Sequence, residues 1–225
     1  MPKPTTRRKV LTGAAAAAAV TLAPGAARAQ APARRYAPAR HSQDEWLDGV
    51  PGRHRTIVDC ASTASAGAGI LYANNLYVAN AKGYSLKEAD VAVVVCLRHF
   101  ATVFAFNDVV WAKYGQALSD AVKFTDPKTG QAPSTNLLDT AGYGMLTSAG
   151  MTISSVAKRG TQFAVCDMAT NMLASLVATS TKGVQEAVYT EFVRNLIPNS
   201  HLMAAGVVAV NRAQEYGYTL LTAVG

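Results

Sequence analysis

The amino-acid sequence predicts an α/β fold with three layers: a five-stranded, mainly parallel sheet with helices on both faces. The chain has 225 residues, of which 50% are hydrophobic and 16% charged, a balance typical of a globular protein with one sizeable core. Short apolar segments alternate with segments whose apolar residues have helical spacing. One of these segments, Asp90–Cys96, is almost continuously apolar, as in strands buried on both faces of a parallel sheet. This alternation implies right-handed crossovers and a doubly wound sheet.

The individual elements follow from local composition. Five segments are short, apolar or β-branched, and we expect strands there: Arg55–Cys60, Asp90–Cys96, Thr161–Cys166, His201–Ala205 and Tyr218–Val224. Helices are expected between them, over Ile70–Asn80, Asn107–Ala117, Ser154–Arg159, Met168–Ala178, Ala187–Leu196 and Val207–Tyr216. Gly67 and Gly69 are expected to form the turn after the first strand. The polar stretch 123–136 is long for an α/β connection, and such loops are often lids, binding loops or assembly elements.

Residues 1–29 have the layout of an export signal. The adjacent Arg7 and Arg8 precede an apolar stretch with six consecutive alanines, and Ala27-Arg28-Ala29 forms a small-residue end. This pattern resembles a bacterial twin-arginine signal cleaved after Ala29, which predicts a periplasmic or otherwise exported protein. The alternatives are a disordered tail or a membrane anchor, but the apolar run is roughly half of the about 20 residues that an anchor needs. We therefore expect no membrane span after removal of the signal.

The positive charge of the chain belongs mostly to this signal. The net charge is +7, and five basic residues with no acidic residue lie within residues 1–29, so the remaining chain carries +2. The predicted domain, residues 55–225, holds 12 basic and 11 acidic residues, which is not the electrostatic pattern of a nucleic-acid-binding protein. Residues 30–54 form an Ala/Pro/Arg-rich arm or linker, in which Trp46 and Leu47 either dock on the domain or belong to a disordered leader.

The three cysteines mark the edge of the sheet where chemistry is expected. Cys60, Cys96 and Cys166 come at the carboxyl ends of the first three predicted strands, and open parallel sheets bind ligands at that edge. Cys166 precedes a predicted helix, whose free N–H groups would lower the pKa of a thiol there. Arg98 and His99 follow Cys96 and are candidates to stabilise the thiolate. The alternative for each cysteine is a buried, apolar role.

Two other cysteine arrangements remain open at this stage. Cys60, Cys96, Cys166 and His99 would make a Cys3His metal site, although no metal-binding spacing is present. A Cys60–Cys96 disulfide is the second arrangement, and it would leave Cys166 as the free thiol. Neither a dinucleotide motif nor a phosphate-binding GxxxxGK[ST] motif is complete, so no cofactor and no resident metal are expected. His201 is expected to be structural.

The domain, residues 55–225, resembles the DsrE/DsrF-like family. The pattern that carries the resemblance is Gly160-x-x-Phe163-x-Val165-Cys166, Asn195-Leu196-Ile197-Pro198, Met203-x-x-Gly206-Val207 and Gln214-x-x-Gly217-Tyr218-x-x-Leu221. The resemblance implies a five-stranded parallel sheet and a homo-oligomer. It also implies that the cysteine after the third strand, here Cys166, carries persulfide sulfur. The export signal and the 123–136 loop depart from the family's cytoplasmic sulfur-relay members.

Three functions are compatible with these observations. The first is an exported sulfur-handling protein with Cys166 as the carrier, helped by Arg98 and His99, and with a sulfur donor or small molecule as its ligand. The second is a non-catalytic, oligomeric periplasmic module that binds a ligand or partner. The third is a metal or haem carrier.

Overall fold

The computed structural model describes residues 37–224, so the predicted signal at residues 1–29 lies outside the described residues. A single five-stranded sheet with strand order β4-β3-β2-β1-β5 forms the centre of the fold, and all neighbouring strands run parallel. Its strands are β1 His54–Cys60, β2 Val91–Leu97, β3 Gln162–Cys166, β4 Ser200–Met203 and β5 Thr219–Thr222. The predicted α/β fold with a five-stranded parallel sheet and helices on both faces is confirmed.

Helices cover the sheet in two unequal layers. The α-helices are α1 Trp46–Gly49, α2 Thr63–Tyr84, α3 Asp108–Val122, α4 Ile153–Ala157, α5 Asp167–Thr181, α6 Gln185–Arg194 and α7 Gly206–Glu215, and 3-10 helices span Ser42–Asp44, Glu88–Asp90 and His99–Ala105. The larger core packs α2 to α6 against one face of the sheet, and the smaller core packs α1 and α7 against the other. No helix within residues 37–224 is long and apolar enough to cross a bilayer.

The strand order explains this division. Strands β1 to β4 follow one another in a single direction across the sheet, and right-handed crossovers then place every connecting helix on the same face. The chain returns from β4 to the opposite edge to form β5. That reversed crossover places α7 on the second face of the sheet. Helix α1 and the residues around it complete the layer on this face.

Gly67 and Gly69 lie inside α2, so the predicted turn at these residues is wrong. The helix begins earlier, after Ser62. The Ser62 hydroxyl accepts a hydrogen bond from the Ser65 N–H, and the Ser65 hydroxyl accepts one from the Ser62 N–H, so the two residues form a capping box. A Cβ on Gly69 would lie 2.4 Å from the Cys60 sulfur. The glycine is therefore needed for close packing of the helix on β1 rather than for a turn.

The segment before β1 packs on the smaller core. Leu47 is only 1% exposed, and the Trp46 ring stacks on the His201 ring with centroids 3.8 Å apart. The Arg55 guanidinium donates hydrogen bonds to the carbonyls of Leu47 at 2.7 Å and Val50 at 2.9 Å. Of the two alternatives for Trp46 and Leu47, the structure shows that both residues dock on the domain.

Candidate functional site

A cleft opens at the carboxyl ends of β3 and β4, two neighbouring strands that are followed by helices on opposite faces of the sheet. After β3 the chain continues into α5 on the larger-core face, and after β4 it continues into α7 on the opposite face. Such a divergence leaves a crevice at the carboxyl ends of the strands. The cleft has a volume of about 370 Å³ and is lined by Arg98, His99, Cys166, Met168, Ala169, Met172, Ala205, Gly206 and Val207. The three candidate site residues Cys166, Arg98 and His99 therefore line one cleft.

Cys166 is held between strand and helix. It is the last residue of β3 and the N-cap of α5, and its sulfur accepts a hydrogen bond from the Ala169 N–H at 3.4 Å. The residue is 6% exposed and lines the cleft. A sulfur in this position faces the positive end of the helix dipole.

The N-terminus of α7 faces the same cleft. Its N-cap, Ala205, has no side chain that accepts a hydrogen bond from the first turn, and Gly206 and Val207 line the cleft. The first N–H groups of a helix have no partner within the helix. Two helix N-termini consequently border the Cys166 cleft, and one of them lacks a side-chain cap.

Arg98 is engaged by Asp59 rather than by a thiolate. Its Nε donates to Asp59 Oδ1 at 2.6 Å and a terminal nitrogen donates to Oδ2 at 2.9 Å, the bidentate geometry preferred by this pair. The hydrogen bond to Asp59 raises the pKa of Arg98, so the guanidinium stays charged at neutral pH. The pair is electrically neutral, and Arg98 forms a wall of the cleft.

Gly206 allows Arg98 to take this position. A Cβ on Gly206 would lie 2.2 Å from Arg98 Cβ and about 3 Å from the next two carbons of the side chain. Any larger residue would collide with the arginine that the Asp59 carboxylate holds. Gly206 belongs to the pattern that resembles the DsrE/DsrF-like family, but the sequence contains no sign of the contact with Arg98.

His99 stands at the rim of the cleft in an uncommon backbone conformation. Its φ is 52°, in the left-handed region that non-glycine residues seldom adopt and that is enriched at functional sites. The side chain is exposed, and its ring stacks on Phe100 with centroids 4.1 Å apart. Among the described residues, neither His99 nor Arg98 donates a hydrogen bond to the Cys166 sulfur.

The other two cysteines occupy opposite faces of the sheet. In the β1–β2 register Cys96 stands beside Asp59, whereas Cys60 stands beside Leu97, and successive side chains of a strand alternate between faces. Cys60 accordingly belongs to the larger core and Cys96 to the smaller one. All three cysteines are free thiols, and the alternation leaves no geometry for a Cys60–Cys96 disulfide.

The same alternation separates the residues of the hypothetical Cys3His site. Within residues 37–224 no group of three or more His, Cys, Asp and Glu side chains is placed to hold a metal ion. Burial raises the pKa of the Cys60 thiol and that of the Cys96 thiol, so both stay protonated at neutral pH. Cys166 is the cysteine that lines the cleft.

The walls of the cleft are mainly apolar. Met168 is 68% exposed and Val207 is 64% exposed at its mouth, and Met172 completes the wall formed by α5. Flexible methionines accommodate ligands of varied shape. These residues lie in the predicted helices, but the sequence does not reveal that they meet across a switch point.

Other candidate residues have structural contacts elsewhere. Asp167, next to Cys166, accepts a hydrogen bond from the Tyr189 hydroxyl at 2.7 Å, and this contact ties α5 to α6. His201 stacks on Trp46 and forms a hydrogen bond with Gln162 at 3.0 Å. No residue of the 123–136 loop lines the cleft.

Comparison with known proteins adds no assignment to this geometry. No protein-family model matches the chain, and no curated protein matches it.

Proposed function

We propose that this protein is an exported, DsrE/DsrF-like sulfur carrier that holds sulfane sulfur as a persulfide on Cys166. The observation that carries the proposal is the placement of Cys166 as the N-cap of α5 in a cleft at the topological switch point. That placement combines a nucleophilic atom with the position where open α/β sheets bind ligands.

The chemistry needs no external oxidant or reductant when the donor already contains sulfane sulfur. With thiosulfate, the Cys166 thiolate attacks the outer sulfur, a new S–S bond forms, and the bond between the two sulfurs of thiosulfate breaks. Sulfite leaves with the electron pair of that bond. The product is a cysteine persulfide, which a second thiol can receive by the same kind of exchange.

The surroundings of Cys166 suit an anionic sulfur species. The α5 N–H groups and the uncapped first turn of α7 place partial positive charge at the cleft, and such ends stabilise anions. The mainly apolar walls lower the polarity beside the sulfur, which strengthens electrostatic interactions there. In this proposal His99 accepts the thiol proton, and Arg98, fixed by Asp59, shapes the wall.

Thiosulfate loading followed by intact-mass measurement tests the proposal. The wild-type protein is expected to gain about 32 Da, the mass of one sulfur atom, and Cys166→Ser is expected to gain nothing. Cys96→Ala and Cys60→Ala are the matched controls, because both thiols are buried and protonated, and they should load like the wild type. Absence of the adduct on the wild type, or its persistence in Cys166→Ser, would reject the sulfur-carrier function.

A role for His99 gives the proposal a kinetic test. His99→Gln removes the group proposed to accept the thiol proton without entering the core, since the side chain is exposed. Loading is expected to slow by roughly tenfold to a hundredfold at neutral pH. An unchanged loading rate would remove His99 from the mechanism.

The second candidate function is a non-catalytic module that binds a small ligand in the same cleft. The apolar walls formed by Met168, Met172 and Val207 favour it, as does the engagement of Arg98 by Asp59. Met172→Ala should weaken ligand binding in either case, whereas Cys166→Ser should leave binding intact only if the thiol is not used. Loss of all activity in Cys166→Ser would exclude this second function.

Export is part of the proposal and depends on residues 1–29. Replacing both Arg7 and Arg8 by lysine is expected to retain the protein in the cytoplasm, because the adjacent arginines are the feature that resembles a twin-arginine signal. Cell fractionation measures the outcome. Equal export of the doubly substituted protein would overturn this localisation.

A further inference from the structure

Strand β5 is an open edge with leucines exposed on both faces. Among residues 37–224 it pairs only with β1, and it stands at the end of the sheet. Leu220 is 44% exposed and Leu221 is 37% exposed, although their partners in β1, Ile57 and Val58, are fully buried in opposite cores. An uncovered apolar edge strand pairs readily with another chain, and monomeric proteins usually protect it with charges, proline or a bulge. Strand β5 is short, at four residues, but it contains no charge, no proline and no bulge.

A groove beside β5 extends the same surface. It lies between α2 and β5, has a volume of about 380 Å³, and is lined by Tyr72, Asn75, Leu76, Ala79, Asn80, Leu221 and Thr222. The chain contains no charged residue from 63 to 81 or from 216 to 224. The exposed face of a long helix and the edge strand next to it thus form one uncharged surface, which we call the β5 surface.

We propose that the β5 surface binds a second copy of this chain. The two β5 strands pair antiparallel about a two-fold axis perpendicular to the sheet, so that one sheet continues across both copies. This axis keeps the larger-core faces of the two copies on the same side. It therefore brings the α2 helices together, and side chains from each copy fill the groove of the other.

The charge distribution meets the requirement for binding a second copy of the chain. In a two-fold interface each residue near the axis meets its own image, so a charged residue there would face an identical charge. A different partner imposes no such restriction, because it can supply the opposite charge. Residues 63–81 of α2 and residues 216–224 carry no charge, as a two-fold axis at this position requires.

The backbone of the strand supports the same occupant. The open edge presents N–H and C=O groups that only an extended segment can pair. The β5 strand of a second copy is already extended, so its backbone loses little conformational entropy on binding. The opposite edge, β4, is different: the stack of Trp46 on His201 lies against it, so the two edges are not equivalent. The proposal rests on none of the residues of the Cys166 cleft and goes beyond the sulfur-carrier function.

Sedimentation equilibrium of the purified protein and of charge variants tests this interface. The wild type is expected to be a dimer, and Leu221→Lys is expected to weaken dimerisation on the order of 100-fold, because like charges then face each other. The matched control is Leu202→Lys on the other edge strand, where the leucine is also 37% exposed, and it should dimerise like the wild type.

A mixing experiment makes the test independent of folding defects. Leu221→Lys and Leu221→Glu are each expected to be monomeric alone, and an equimolar mixture is expected to recover dimers, because opposite charges then face each other across the axis. Recovery requires that the two positions 221 meet. A monomeric wild type, a dimeric Leu221→Lys variant, or a mixture that stays monomeric would each overturn the proposal.

Discussion

Substitution of Gly206 by alanine separates what helix propensity favours from what the packing of the site allows. Gly206 is the first residue of α7. Alanine is favoured over glycine by roughly 0.5–1 kcal/mol in the interior of a helix, and by less at the first position. On propensity alone, Gly206→Ala would therefore raise the free energy of unfolding.

The contacts at this position predict the opposite sign. The new Cβ would lie 2.2 Å from Arg98 Cβ, 3.0 Å from its Cδ and 3.1 Å from its Cγ, whereas carbon atoms in contact are about 3.5–4.0 Å apart. The β2 end or α7 has to move by more than about 1 Å, and Arg98 cannot swing away without loosening its bonds to Asp59. Overpacking of this kind costs about 1–3 kcal/mol. For a domain of this size, a loss of about 2 kcal/mol lowers Tm by roughly 4–8 °C.

Thermal unfolding followed by circular dichroism measures this effect. Gly83→Ala is the matched control: Gly83 lies in α2 and no heavy atom lies within 4 Å of its added Cβ, so its Tm should stay equal or rise slightly. Arg98→Gly removes all three colliding carbons, and in that background Gly206→Ala should cost far less. A Tm for Gly206→Ala at or above the wild-type value would refute the reasoning. A penalty that persists beside Arg98→Gly would show that the collision is with something else.

Three further predictions concern the scaffold. Leu47→Ala removes a side chain that is 1% exposed and should cost about 2–5 kcal/mol in denaturant unfolding. Leu176→Ala, at 45% exposure in a helix, should cost well under half of that. A Leu47→Ala loss as small as that of Leu176→Ala would contradict a stabilising role for the docked Leu47. Burial lowers the pKa of His201, so its neutral form contributes stability above pH about 6.5 that is lost as the pH falls below this value. Tm should drop from pH 7 to 5, and less steeply in His201→Gln; parallel curves would contradict this linkage. Asn136→Ala leaves two buried carbonyls without the amide that now bonds both at 2.9 Å and should lower the free energy of unfolding by about 1–3 kcal/mol. The exposed Asn211→Ala, which removes only a surface hydrogen bond to Glu215, should change it by less than about 0.5 kcal/mol, and equal losses would contradict the prediction.

Much of the fold could be predicted because its signals are local. The strand at Val91–Leu97 is buried at every residue, and a continuous apolar run is enough to predict that. The positions of the helices follow from spacing and capping residues, since backbone hydrogen bonds in a helix join residues four apart in the chain. The error at Gly67 and Gly69 has a non-local cause: these glycines fit a helix closely against Thr147 and Cys60, and nothing near them in the sequence indicates those neighbours.

The candidate site was predictable only in outline. The order of strands and helices places Cys166, Arg98 and His99 at one edge of a parallel sheet, because the carboxyl ends of parallel strands share that edge. The order alone does not indicate that Arg98 is bound by Asp59, which lies 39 residues earlier in the chain. That contact depends on the pairing of β1 with β2 and on the register that sets Asp59 beside Cys96.

The sequence by itself determined the succession of strands and helices, the edge where the cysteines gather, and the resemblance of residues 1–29 to an export signal. The tertiary structure alone decided which sheet face each cysteine occupies, that the smaller core needs the arm around Leu47, and that β5 is an open edge. The reason is physical. Secondary structure arises from contacts between residues close in the chain. The face that a side chain occupies, the residues that it contacts and its exposure depend on the pairing of strands that are distant in the chain. A shift of register by one residue would turn every side chain of a strand to the other face without changing the sequence.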